Sequence, residues 1–370
     1  MFKNVLKYIS FLFILLSFQL FSQEGDPPKA PSSFVISSFL GMGNIKCDSA
    51  AAHMLNKDEE GARKLYLLAI KDYKNSIKEI PGSYVPYYLL GVTQTKIKDY
   101  KTAIKNFDLA LDIDTSHGEG FRARGIAKMA LGKNNEALLD LNRAININAD
   151  DIESVYHHGI LLEQEKKFQP AMDDYSRALE INPNYEKAYL KRGILYNSFI
   201  KDPVLSLNDL NKVLEINPDN IEAYLWRGKT KFKGEDFQGA DKDLSRYIKL
   251  DSENIDALIT RGAARLNMND NKGAVLDFDE VIRLDPKNII AYMNRGMAKG
   301  GMKKFKEGIL DLDMAIQLKF DYSTAYINRA AVKFASGDRK GACKDLERAD
   351  GLNNEKAYEL IQKYCKSEKR

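Results

Sequence analysis

The chain has 370 residues, with 56 Lys and Arg against 52 Asp and Glu, for a formal charge of +4 at pH 7. Removing Lys3 and Lys7 with the first segment leaves +2, too balanced for the basic footprint of a nucleic-acid-binding protein. Length alone permits two or three globular domains, but a small residue that returns every 34 or 35 positions from Gly91 to Ala330 points instead to an array of units, each touching only its neighbours.

In chain order, residues 1–22 have the make-up of a secretory signal: Lys3 and Lys7 form a basic start, Ile9 to Phe21 is apolar, and Ser22 is a small residue before Gln23. The apolar run is shorter than the ~20 residues of a membrane span, so cleavage and export to a periplasm or cell envelope, or secretion, are expected. No cysteine near the cleavage point suggests a lipid anchor. Residues 23–48 form a segment with Pro27, Pro28 and Pro31, an extended tether, followed by a more apolar stretch from Phe34 to Met42 that fits a short docked helix. Residues 49–83 have the pattern of a degenerate first repeat: Ala69, Tyr73, Ser76 and Pro81 fall 34 residues before Ala103, Phe107, Ala110 and Thr115, with Lys57 in the place of the glycine. Residues 84–353 hold eight full repeats and 354–370 a capping helix.

The repeats align on Gly91, Gly125, Gly159, Gly193, Gly228, Gly262, Gly296 and Ala330. Twelve residues later stand Ala103, Ala137, Ala171, Ala240, Ala274, Gly308 and Ala342, with Ser206 displaced by one extra residue after Ile200. Four residues before the glycine is a large side chain, as Tyr87, Phe121, Tyr189, Tyr224, Tyr292 and Tyr326. A mid-helix glycine costs about 1 kcal/mol relative to alanine, so its return implies close approach of a second helix. Pro183, Pro218 and Pro286 mark the end of the second helix.

This pattern resembles the tetratricopeptide repeat family, most clearly from Tyr189 to Pro218 and from Tyr292 to Ala315. The resemblance runs from about Tyr84 to Asn354 and implies an all-α, right-handed superhelical solenoid of stacked helix-turn-helix repeats. The chain departs from the family at Thr115, Ala149, Ser252, Phe320 and Asn354, where proline is usual. The Phe-rich start ending Phe-Ser-Gln resembles signal peptides of the Bacteroidota.

A second departure is an arginine before the small residue: Arg124, Arg192, Arg227, Arg261, Arg295 and Arg329, with His158 and Leu90 as exceptions. An aspartate follows sixteen residues later, as Asp140, Asp174, Asp243, Asp277, Asp311 and Asp345, with Asp209 shifted by the extra residue. The repeat with Leu90 carries Asn106 instead, so both partners change together. The expectation is an Arg to Asp bridge within each repeat; the alternative is inherited repetition with both groups solvated.

Three cysteines are present, and an odd count in an exported chain leaves one unpaired. Cys343 and Cys365 are placed to pin the capping helix to the last repeat, the alternative being two free thiols that pack as small hydrophobes. Cys47 is left without an assigned role.

Catalytic motifs are lacking. His53, His117, His157 and His158 form no metal spacing, and no phosphate loop, nucleophile elbow or paired-carboxylate motif stands out, so a non-enzymatic role without cofactor is expected. The resemblance instead implies a groove lined by the first helix of each repeat. Its positions lie three and two residues before the glycine and one and four after it. They carry Tyr88, Arg122, Tyr156, Leu190 and Leu225; His157, Lys191, Trp226, Asn294 and Asn328; and Met129, Glu163, Asn197, Phe232, Leu266 and Phe334. Trp226 and Phe232 are expected to face the same way, and Tyr88, Arg122 and Tyr156 to form a second cluster. Aromatic and Arg residues dominate binding hot spots, so Tyr88, Arg122, Tyr156, Lys191, Trp226, Phe232, Asn294 and Asn328 are the candidate groove residues; the alternative is that they pack between repeats. Met293 and Ile327 stand where chaperone-binding members of the family carry the lysines of a carboxylate clamp, which argues against a chaperone adaptor. The expected partner is a protein, as a peptide segment or an envelope subunit. The other readings are a structural spacer using its convex face or ends, and a cryptic enzyme or carbohydrate-binding module.

Overall fold

The computed structural model describes residues 38–365, which contain nineteen α-helices and no strand. The expected signal and the proline-containing stretch up to residue 37 lie outside the described residues. The described chain divides between Ala149 and Asp150 into two compact units.

The first unit stacks three helix pairs: α1 (Ser38–Leu55) with α2 (Glu59–Glu79), α3 (Tyr84–Lys96) with α4 (Tyr100–Ile113), and α5 (Gly118–Ala130) with α6 (Asn134–Ile147). The second stacks six: α7 (Ile152–Gln164) with α8 (Phe168–Ile181), α9 (Glu186–Leu195) with α10 (Pro203–Ile216), α11 (Ile221–Lys233) with α12 (Phe237–Ile248), α13 (Ile255–Asn267) with α14 (Asn271–Leu284), α15 (Ile289–Gly301) with α16 (Phe305–Leu318), and α17 (Ser323–Ala335) with α18 (Arg339–Asp350). A short α19 (Glu355–Tyr364) closes it against α18.

The turn inside each pair follows from its sequence. One residue takes the left-handed conformation, Lys98, Gly132, Lys166, Lys201, Glu235, Asn269, Lys303 and Gly337 in turn. In six pairs an aspartate then caps the second helix by accepting from the backbone N–H three residues on, as Asp236 does from Gly239. The extra residue after Leu195 is absorbed as one π turn, Tyr196–Ile200, which restores the register of α10.

The first repeat differs from the sequence expectation. Its first helix begins at Ser38, eleven residues before the expected boundary, so residues 38–48 are helix and not tether. Lys57 occupies the left-handed turn, and the close-approach glycine is Gly43: a Cβ there would lie 2.5 Å from the Tyr73 ring, as one at Gly91 would lie 2.6 Å from Phe107. The helices of this pair are longer, so a strict 34-residue register misplaces its glycine.

Six arginines clamp the repeats. Arg124, Arg192, Arg227, Arg261, Arg295 and Arg329 each donate from Nε and Nη2 to both oxygens of the aspartate on the second helix of the same pair, at 2.5–3.1 Å. The six aspartates are buried, at most 6% exposed. The third nitrogen, Nη1, reaches back sixteen residues to the second helix of the preceding pair, to Asp108, Ser176, Asn211, Ser245, Asp279 and Asp313, at 2.6–3.2 Å. Each guanidinium thus joins three helices, and five of them also stack on the aromatic ring three residues earlier. A further cation four residues after the arginine meets the same aspartate in five pairs: Lys128, Lys231, Arg265, Lys299 and Lys333. Burial opposes the charge on Arg124, Arg295 and Arg329, yet the carboxylates outweigh it and raise all three pKa values. His158 replaces arginine against Asp174, at 2.6 Å, and the repeat with Leu90 is a neutral version in which Asn106 Nδ2 donates to Gln94 Oε1 at 2.7 Å.

Candidate protein-binding face

At about 100° per residue, the positions three and two before the glycine and one and four after it span about 120° on one side of each first helix. The clamp arginine, one before the glycine, points about 100° the other way round. Each first helix therefore has an arginine side spent on internal bonds and an inner face that carries none of the clamp.

In the first unit the inner face holds two candidate residues. Tyr88 packs over Phe107 and His117, with ring centroids 6.1 and 4.7 Å away, and its hydroxyl lies 3.4 Å from Glu119. Arg122 is half-buried on α5.

In the second unit Tyr156 is 8% exposed and lies among the rings of Tyr175, Tyr185 and His157. Burial pushes its hydroxyl up to about 12, so Tyr156 is an interior residue and not an open contact. It also belongs to a different unit from Tyr88 and Arg122. Next to it Glu153 is held down to about 2, first by the hydrogen bond from His157 and then by Lys187, against the effect of burial. Lys191 Nζ faces Glu163 at 3.6 Å, and Lys229 lies 5.1 Å from the Trp226 ring and 3.4 Å from Asp256. Trp226 and Phe232 do not form one surface. Six residues apart, they stand at opposite edges of the face: Trp226 packs with Leu210, Val213 and Leu214, and Phe232 packs on Phe237 of the second helix.

From α13 onward the character of the face changes. Its register positions carry Ile259, Thr260, Ala263 and Leu266, then Met293, Asn294, Met297 and Gly300, then Ile327, Asn328, Ala331 and Phe334, with no ionisable side chain. Asn294 and Asn328 are half-buried, and their amides make no hydrogen bond among the described residues. Among the described residues no group of three His, Cys, Asp or Glu side chains is placed to hold a metal, and no helix is long and apolar enough to cross a membrane.

Two features were not anticipated from the sequence, and the expected disulfide is present. Lys233 donates to Asn197 Oδ1 at 2.6 Å and to its backbone oxygen at 3.3 Å, tying α11 to the π turn; the extra residue was the only signal. Leu276 and Leu310, register equivalents on α14 and α16, are 68% and 67% exposed on the side away from the core. Cys343 and Cys365 form a disulfide, with Cα atoms 5.8 Å apart, between α18 and the residue after α19, while Cys47 lies half-buried between Tyr73 and Thr93.

The tetratricopeptide repeat profile matches residues 85–117 and 152–185, one helix pair and its turn in each unit. These pairs are similar to tetratricopeptide repeats. A 90-residue part of the chain is 34% identical to the small glutamine-rich tetratricopeptide repeat-containing protein 2 of Saccharomyces cerevisiae, covering 24% of this chain and 26% of that protein. A 106-residue part is 31% identical to the CTR9 homolog of Arabidopsis thaliana, 28% of this chain and 9% of that one. The chain thus spans about a quarter of the first relative's length and less than a tenth of the second's. Among solved structures, Pseudomonas aeruginosa pilF superposes with a TM-score of 0.51 at 16% identity, over 56% of this chain and 94% of that one, which fits the fold of stacked helix pairs. YrrB, described as a tetratricopeptide protein with an unusual peptide-binding site, gives 0.48 at 23% identity over 50% and 95%. Tetratricopeptide proteins are in general protein-interaction scaffolds, with no catalytic centre of their own.

Proposed function

We propose that the chain is an exported, non-enzymatic scaffold that holds a peptide segment of a partner protein along the inner face of the first helices of its second unit. The observation that carries this reading is the division of labour on each first helix. The arginine side is consumed by internal bonds, whereas Asn294, Asn328 and the half-buried Trp226 edge keep polar groups that no internal partner takes. The charged end of the face, Glu163, Lys191 and Lys229, suits a polar part of the segment, and the neutral stretch from α13 to α17 suits an apolar part. The secretory character of residues 1–22 and the Cys343–Cys365 disulfide support a place in a cell envelope.

A second reading places the interface on the outer face, as in a structural spacer, because Leu276 and Leu310 expose apolar surface one repeat apart. Cross-linking and affinity capture from envelope extracts separate the two. A partner retained by the Leu276→Asp, Leu310→Asp variant and lost by the folded Asn294→Asp, Asn328→Asp variant supports the inner face; the reverse pattern moves the interface outside.

A further inference from the structure

Among the described residues α19 has no second helix paired with it. Tyr364 falls 34 residues after Ala330, at the register position that is glycine in seven repeats and alanine in the eighth, so α19 is in sequence terms the first helix of a ninth pair. Beside it lies a cavity of about 370 Å³ lined by Ile327, Ala330, Ala331 and Phe334 of α17, Leu346 of α18, and Leu360 and Tyr364 of α19.

Three of the four α17 residues, Ile327, Ala331 and Phe334, are inner-face positions, so the cavity continues that face. Its lining is mainly apolar, and a cavity of about 150 Å³ already accommodates benzene. The volume therefore takes an indole, a phenyl ring or a branched aliphatic group. A charged group placed there would be partly desolvated against a mainly apolar lining that holds no charged side chain. The neighbouring open amides of Asn328 and Asn294, one and two repeats away from the end, favour an occupant that brings peptide groups with it. One wall is covalently fixed: the Cys343–Cys365 disulfide ties the end of α19 to α18, and Arg339 Nη2 donates to the Tyr364 carbonyl at 2.7 Å.

We propose that this cavity is the anchor pocket for one bulky apolar side chain, aromatic or branched aliphatic, of the peptide segment held on the inner face, and that the disulfide keeps the pocket formed. The inference rests on the groove reading above and names the chemistry of its ligand.

The test is a titration of the full oxidised chain with N-acetyl-tryptophanamide, N-acetylglycinamide and decanoate, read on the methyl NMR signals of Ile327, Leu346 and Leu360. The expected result is a saturable shift of these methyls with the tryptophan amide and none with the glycine amide. The Ala331→Phe variant, which fills the cavity, should abolish it, and the Cys343→Ser, Cys365→Ser variant should weaken it at least tenfold. Should Ala331→Phe fail to fold, the wild-type titration still decides. No saturable shift, or the same shift in the folded filled variant, overturns the pocket; binding without loss in the serine variant overturns the role of the disulfide. A response to decanoate alone, or one that grows with protein concentration, replaces the side chain by an acyl chain or a second copy and overturns the assignment. If partner capture responds to the Asn294 and Asn328 substitutions while this titration is silent, the pocket falls and the groove stands.

Discussion

The Arg261–Asp277 clamp gives a prediction whose size follows from its geometry. Asp277 is 2% exposed and receives Arg261 Nη2 at 2.6 Å, Arg261 Nε at 3.1 Å and Arg265 Nη1 at 3.1 Å. Burial raises the Asp277 carboxyl above its ordinary value even though both arginines pull it down, so desolvation consumes much of the attraction. The clamp should then be costly to break and cheap to replace. Arg261→Leu leaves a buried carboxylate with Arg265 Nη1 as its one remaining donor, and Asp277→Asn leaves the Arg261 guanidinium without an anion while Arg265 keeps Asp241 at 2.7 Å; each should cost about 3 kcal/mol. The triple change Arg261→Leu, Arg265→Gln, Asp277→Asn copies the neutral set Leu90, Gln94 and Asn106, in which Asn106 donates to Gln94. It should lie within about 1 kcal/mol of the parent, because the buried amides introduced at positions 277 and 265 pair with each other and Asp241, whose side chain is 31% exposed, is solvated once Arg265 is gone. Urea unfolding followed by the chain's single tryptophan, Trp226, one repeat away, gives the energies, with hydrogen exchange in α13 and α14 as the local check. Single changes costing under about 1 kcal/mol, the range of exposed ion pairs, would refute the reasoning. So would a triple variant as unstable as the sum of its parts.

Three further outcomes are expected. Gly296→Ala would bring a Cβ to 2.8 Å from the Gly308 carbonyl oxygen and from Leu312, so it should destabilise by about 1–3 kcal/mol despite the helix-propensity gain; Gly41→Ala, with nothing within 4 Å, should stabilise in the same melts. Loss of the Cys343–Cys365 bond, which spans 22 residues, should cost about 3 kcal/mol and raise hydrogen exchange in α19, while exchange in the first unit stays unchanged. Burial lowers the pKa of His117, which lies 4.6 Å from the Tyr84 ring and 4.7 Å from the Tyr88 ring, with Glu119 and Asp114 opposing and Arg122 assisting. The unfolded chain then binds the extra proton more readily, so this stabilisation is complete above a pH of about 6.5 and is lost as pH falls below it. Protection of α3 and α5 should drop between neutral and mildly acidic pH in the parent and stay flat in His117→Gln.

The pairing of arginine with aspartate was legible because both recur at one offset and change together at Leu90 and Asn106. The backward reach of Nη1 was written in the same rows: Asp108, Ser176, Asn211, Ser245, Asp279 and Asp313 also recur, but their identities vary among acid, amide and hydroxyl, and a donor accepts all three. The start of α1 was hidden because its residues carry no helical alternation of apolar and charged positions and two glycines interrupt it. The face of Trp226 and Phe232 was misjudged because membership of one groove does not place two side chains side by side; six residues on a helix separate them by about 120°. The burial of Tyr156 was not legible because its register equivalents Tyr88, Arg122, Leu190 and Leu225 are half-buried, whereas the rings of Tyr175 and Tyr185 enclose it.

The distribution of the clamps bears on how the inner face works. An arginine that bonded only its own pair would hold a hairpin together, which apolar packing of Ala240, Leu244 and their equivalents already does. The Nη1 arm adds a bond to the preceding pair, and the angle between successive pairs sets the spacing of inner-face positions such as Asn294 and Asn328. A buried ionic group contributes little net stability but tolerates few alternative geometries, since a guanidinium with two acceptors on different helices satisfies both in one arrangement. The neutral set at Leu90, Gln94 and Asn106 lacks that third arm. It stands in the first unit, whereas every arginine from Arg192 to Arg329 belongs to the second, the unit whose inner face leaves its amides open. Arg124 makes the same three-arm clamp in the first unit and His158 stands in its place in the second, so the five successive clamps from Arg192 to Arg329 form the longest run, along the helices that carry Asn294 and Asn328.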